Sequence, residues 1–258
     1  MLELFKQLQG KENIMNKNTE LTSWKNDMKA AAVKTANSER PNIVFIGLQN
    51  GIMSYQGDPL LDNKLKCIII ATSFARTCFM RPYNSEDSAP PECFANAIDE
   101  ADLIPHKNVI KPFAKKCGEK ICEWAVFGTA FQGEGPRCKT RRKLVVMPIS
   151  GMTKPEDAEL AILVTPPTSG KNYSRYASKI AAGQGLPLWA VQTCITCKPH
   201  VKNQFEIVFA PIAPIVEDSI LEGIHFRIEE AEDLLLRPYS YETEEATIKT
   251  DNKKVEKF

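Results

Sequence analysis

Short apolar runs rich in β-branched residues, separated by turn signals, recur along the chain and predict strands more often than helices. The first is Asn42–Leu48 (NIVFIGL). Gln49-Asn50-Gly51 follows, and because Asn-Gly accepts the positive φ angles of a tight hairpin, Gly51–Tyr55 is the predicted partner strand. Lys64–Met80 is the longest β-like stretch, with Cys67, Ile68, Ile69, Ile70, Thr72 and Phe74 suited to a strand buried on both faces. Within it, Cys67 and Cys78 read as small core hydrophobes. Lys143–Ile149 (KLVVMPI), Leu160–Thr165 (LAILVT), Leu188–Cys197 and Gln204–Ala210 complete the strand set. Two stretches carry the helical period instead. Lys171–Ala182 ends at Gly183 and Gly185, with Tyr173, Tyr176 and Ile180 on a core-facing side and Lys171, Arg175 and Lys179 on a polar one. Ser219–Leu236 repeats Ile220, Ile224, Ile228, Ala231 and Leu235 on one face.

Around this pattern the texture changes. Residues 1–41 are polar and Lys/Asn-rich, an N-terminal arm with one helix over Thr22–Ala36 that stops before Pro41. Residues 239–258 form a polar, flexible tail. Between them, 42–238 reads as one domain. Six or so strands with one inserted helix predict a mainly β (α+β) fold, an OB-like small β-barrel. Residues 81–142, rich in proline and cysteine, form a long insertion between its strands.

No apolar run approaches the roughly 18–20 residues that cross a bilayer, so no membrane partner is expected. The first ten residues lack the apolar region of a secretory signal, which points to the cytoplasm. That changes how the eight cysteines read: in a reducing compartment clustered cysteines are metal ligands more often than disulfides. The net charge of +1 conceals a segregated pattern. Lys107–Lys143 carries ten Lys/Arg against three Glu, while Glu86–Asp102 carries six acids and no base. Glu217–Asp233 holds seven acids against Arg227. Such segregation suits a basic binding face, or simply separate solvated surfaces.

Cys93-x23-Cys117-x4-Cys122-x15-Cys138 places four thiols within 46 residues of loop-like sequence. Zinc takes four such ligands in a tetrahedron, and four thiolates leave no position open for substrate, so the cofactor expected is a structural Zn2+. Zinc binding is worth roughly 10–16 kcal/mol in small peptides, enough to order an insertion without a large core. The rival cluster, Cys194-x2-Cys197 with His200, sits in strand texture where the two cysteines point to opposite faces. No H-E-x-x-H arrangement occurs among His106, His200 and His225. Ser169-Gly170-Lys171 lacks the first glycine of a phosphate loop, and Gly133-x-Gly135 and Gly183-x-Gly185 lack the third glycine of a dinucleotide fingerprint. A non-enzyme is expected.

Pro91-Glu92-Cys93, Cys117, Cys122, Trp124, Phe127-Gly128, Gly133/Gly135, Cys138 and Arg141-Arg142-x-Leu144-x-Val146-x-Pro148 together resemble a group of tailed-bacteriophage proteins. These look like zinc-containing single-stranded-DNA-binding proteins with an OB-type barrel. The resemblance covers about residues 42–235. It departs where the group's C-x2-C-P is Cys117-x4-Cys122-Glu123, and where its lysine before the last cysteine becomes Pro136-Arg137. It implies single-stranded DNA as partner, phage replication or recombination proteins as further partners, and the cytoplasm of an infected bacterial cell as location. Single-strand binders pair a cationic groove with flat side chains on which bases stack. Arg81, Arg137, Lys139, Arg141, Arg142 and Lys143 supply cations, and Tyr83, Phe94, Trp124, Phe127 and Phe131 supply rings. Trp124 and Phe127 fit equally a small core covering the metal site. The alternative reading is a zinc-stabilised structural or virion-associated phage protein that binds no nucleic acid.

Overall fold

The computed structural model describes residues 44–82, 90–118, 120–131, 133–201 and 204–237. The arm at 1–41 with its expected helix, Tyr83, and the tail at 239–258 lie outside the described residues. Among those described, nine strands make one mixed sheet, so the fold is mainly β.

β1 (Val44–Gln49) and β2 (Ile52–Tyr55) form the expected hairpin. Asn50 and Gly51 between them take φ of 51° and 80°, the left-handed pair that a two-residue hairpin turn needs. β3 (Asp58–Pro59) extends the meander beyond β2. β4 (Lys64–Cys78) is the strand around which the rest is arranged. Along one edge it pairs with β6 (Cys138–Pro148) from Cys67 to Cys78. Along the other it pairs first with β8 (Val191–His200) over Lys64–Ile68, then with β5 (Cys93–Ala97) over Phe74–Cys78. With β7 (Ala161–Val164) and β9 (Gln204–Pro214), the order is β3-β2-β1-β7-β6-β4-β8-β9, and β1 with β7 is the parallel pair. A Cβ placed on Gly51 would stand 3.7 Å from Cβ of Phe205, so the β1–β2 turn lies against the start of β9. The sheet is therefore curled, a half-barrel.

Each face of the sheet has its own core. On the inner side, Ile46, Met53, Cys67, Ile69, Leu144, Val146, Leu163, Ile195 and Ile207 pack against Tyr173, Tyr176 and Ile180 of α1 (Gly170–Gln184). On the outer side, Ile68, Val145, Met147 and Ile162 are covered by Ile224 of α2 (Asp218–Phe226) and by Ala231, Leu234 and Leu235 of α3 (Ile228–Leu236). The single helix expected over Ser219–Leu236 is two helices broken at Arg227. The cause is a long-range contact: the Arg227 guanidinium donates to the carbonyls of Pro155, Glu156 and Ala158 at 2.7, 2.9 and 3.0 Å, fixing the chain at that point.

Two further differences concern the cysteine-rich insertion. β5 lies inside it and β6 begins at Cys138 rather than Lys143, so two stretches of that segment are sheet. Neither is visible as a strand in the sequence because Cys93-Phe94-Ala95-Asn96-Ala97 and Cys138-Lys139-Thr140-Arg141-Arg142 contain almost no β-branched residues. The ladder with β4, not local propensity, makes them extended.

Candidate metal centre and nucleic-acid face

A β-bulge in β4, between Ile69 and Ala71, sets up the site. Before it, Cys67 and Ile69 face the inner core; after it, the alternation is shifted by one, and Thr72, Phe74, Arg76 and Cys78 follow on that side. Cross-strand neighbours share a face. Beyond the curled sheet, three successive rows therefore cross β5, β4 and β6: Ala97–Phe74–Arg142, Ala95–Arg76–Thr140, and Cys93–Cys78–Cys138.

The third row is a line of thiols at the end of the sheet. The loop after β5 folds over it. Cys117 is anchored by its N–H to the carbonyl of Leu103 at 3.0 Å, and the N–H of Cys122 returns to the carbonyl of Gly118 at 2.9 Å, closing the five-residue turn. Cys78, Cys93, Cys117, Cys122, Cys138 and Arg76 line one cavity of about 10 Å3. Around the thiols, Phe94, Val109, Ala125 and half-buried Phe113 and Trp124 form a small separate core. The four cysteines singled out in the sequence are thus brought to one place, and so is Cys78. Cys78 is buried, as expected of a small core hydrophobe; the core it joins is that of the thiol lobe, because the bulge and the register carry it there.

Crowding shows in the thiols' acidity. Burial, then the neighbouring Cys138 and Cys93, push the Cys117 thiol up to about 12, against the opposing effect of Arg76. Cys138 is raised first by a hydrogen bond with Cys78 and then by burial. Burial raises Cys93 too, partly offset by a backbone hydrogen bond from Phe113. As they stand, no group of three or more His, Cys, Asp or Glu among the described residues is arranged to hold a metal ion. Two buried donors nonetheless suit an anionic thiolate cluster. Arg76 Nε and Trp124 Nε1 are buried in this lobe without an acceptor, and thiolate sulfurs are the acceptors such groups lack. The ion pair of Arg76 is to Glu100, at 3.5 Å.

The residues expected to meet nucleic acid divide into two places. On the thiol lobe, the Arg137 guanidinium lies 4.9 Å from the Trp124 ring centre and 4.1 Å from that of Phe131, held there by Nε donating to the carbonyl of Thr129 at 3.0 Å. Trp124 also packs edge-on against Phe113 at 6.0 Å. Phe127 is 76% exposed and Phe131 48%. On β6, period two separates the basic run. Lys139, Arg141 and Lys143 share one side, opposite Thr77, Ala75 and Ser73, while Arg142 lies on the other, 3.3 Å from the Phe74 ring centre and 5.0 Å from that of Tyr173. Burial lowers the pKa of Arg142 from its usual value, with Tyr173 and Glu100 opposing. A groove of about 290 Å3 runs past Arg142 to Lys171 at the start of α1, with Phe74, Glu100 and Thr140 along it. Arg81 and Lys139 are exposed. The sequence reading missed Phe74 and Arg76 as site residues; an arginine and a phenylalanine two apart in a largely apolar strand were the available signal.

The rival cysteines sit on opposite faces of β8 as period two requires: Cys197 is buried in the inner core, and Cys194 is half-buried with its Sγ 3.7 Å from Thr196 Oγ1. No helix among the described residues is long and apolar enough to cross a membrane. Comparison with known protein families, curated proteins and solved structures finds no match.

Proposed function

We propose that the chain is a non-enzymatic single-stranded-DNA-binding protein. Its curled sheet serves as an OB-type barrel, and its thiol lobe is held by a structural Zn2+ on Cys93, Cys117, Cys122 and Cys138. The observation that carries this reading is the Arg137 guanidinium layered on half-buried Trp124 and exposed Phe131, with exposed Phe127 three residues along the chain from Trp124, on a lobe that adjoins the basic strand β6. A base stacked on an aromatic side chain contributes roughly 1–3 kcal/mol, so two such rings with a guanidinium between them make a useful subsite. Lys139, Arg141 and Lys143 lie on one side of the strand leading from Cys138 and suit a phosphate track. When bound, zinc ties loop and strand ends together and has no open position for chemistry. The bacteriophage resemblance supports a role in phage DNA replication or recombination in the infected cell, with replication or recombination proteins as partners.

Fluorescence anisotropy with labelled single- and double-stranded oligonucleotides at two salt concentrations tests the reading. Binding that prefers the single strand and weakens with salt is expected. For single strands the log–log slope is roughly 0.7 per phosphate contact, so the triple Lys139→Ala, Arg141→Ala, Lys143→Ala variant should lose about two units. No binding even at low salt would leave the zinc-stabilised structural or virion-associated reading in its place.

A further inference from the structure

We infer that Cys78 is a fifth, ligand-competent thiol at the floor of the lobe's metal site, able to take the place of Cys117 or Cys122. The inference rests on the zinc reading above and adds a residue to it. Three observations carry it. First, Cys78 stands directly between Cys93 and Cys138 in the ladder, so the three thiols form one row on adjacent strands. Second, Cys78 is 1% exposed and lines the same cavity as the other four. Third, Arg76 follows one step behind it on the same side of β4, 9% exposed, with a buried Nε that has no acceptor. A buried cation is costly unless an anion faces it. Glu100, 54% exposed, meets only Nη2, at 3.5 Å; four thiolates around a divalent cation carry a net charge of −2 and would supply the acceptor that the buried Nε lacks.

The division of labour follows from the backbone. Three thiols ride on hydrogen-bonded strands and two on a loop. A tetrahedral site takes four. Losing either loop cysteine leaves the strand row plus the other loop thiol, which again makes four. Losing Cys78 alone leaves the four of the loop reading. Losing Cys78 together with a loop cysteine leaves three.

The test counts thiolates on Co2+, whose sulfur-to-metal charge-transfer absorption grows with each thiolate bound, in the full-length protein under reducing conditions. The wild type, Cys117→Ser and Cys122→Ser should show equal intensity per bound Co2+. The double variants Cys78→Ser/Cys117→Ser and Cys78→Ser/Cys122→Ser should lose about a quarter of it, three thiolates in place of four. A loss of that size, or of binding altogether, in Cys117→Ser and Cys122→Ser alone would overturn the inference while leaving the zinc site intact. Those two single variants keep Cys78, so the outcome does not depend on whether a substitution at this buried position folds. If the wild type takes up no Co2+ or Zn2+, the zinc reading itself fails and this inference with it.

Discussion

Arg142 shows how a side chain's strand position decides its duty. In the run Arg141-Arg142-Lys143 the three cations look equivalent, yet the pleat sends the middle one to the other side of β6, where it lies over Phe74 and beside Tyr173. A guanidinium on a ring in a partly desolvated place contributes up to about 2 kcal/mol, far more than an exposed lysine. Arg142→Ala is therefore expected to destabilise the fold by about 1–2 kcal/mol, whereas Lys139→Ala should stay within about 0.5 kcal/mol. Urea denaturation of the two variants checks this; equal, negligible effects would show that the stack holds nothing together. Spacing alone was enough to bring Cys93, Cys117, Cys122 and Cys138 to notice. The contribution of Arg76 was not legible in the same way, because a lone arginine in an apolar strand gains meaning only once its neighbours across the ladder are known.

Among the elements, those with strong local signals stand close to where the hydrophobic pattern put them. The Asn50-Gly51 hairpin, the long β4 and α1 with its Tyr173–Tyr176–Ile180 face are examples. Elements made by long-range pairing were hidden. β5 and the first half of β6 have poor strand propensity and exist because β4 offers them an edge. The β4 bulge was equally invisible: Ile68-Ile69-Ile70-Ala71 is apolar throughout, so nothing in the pattern marks where the alternation shifts. The break between α2 and α3 is the third case, since it depends on Arg227 reaching carbonyls some seventy residues earlier. Replacing this arginine leaves three carbonyls without their donor. Arg227→Met should cost about 2–3 kcal/mol, close to the loss of a charged hydrogen-bonding group, and hydrogen exchange should show α2 and α3 opening ahead of the sheet. Unchanged protection of those helices would mean that Ile224, Ala231 and Leu235 alone hold them.

For the whole molecule, the inner core predicts an alkaline limit. Burial raises the Cys67 thiol and the phenols of Tyr173 and Tyr176, at Tyr176 against the opposing effect of its 2.5 Å hydrogen bond with Thr193 Oγ1. Each group keeps its proton more tightly folded than unfolded. Its stabilisation is therefore complete below the unfolded pKa and is lost as pH rises past it. The decline should begin at about pH 8.5 with Cys67 and steepen above about pH 10 with the tyrosines. Denaturation at pH values of about 7, 9 and 10.5, spanning those two unfolded values, measures it, and Tyr176→Phe should flatten the upper step; a stability independent of pH up to about 11 would contradict the buried phenols. The same continuity of the sheet has a consequence for modularity. Three of the five thiols and Arg76 stand on strands of the main sheet, and two of these four, Cys78 and Arg76, lie on β4, before the cysteine-rich segment begins. A fragment spanning 90–142 would leave those two behind, together with the edge that makes β5 and β6 extended. The thiol lobe is thus no cassette that can be excised or grafted elsewhere; it is built on the outer ends of β4 and β6, and a graft would have to carry β4 with it.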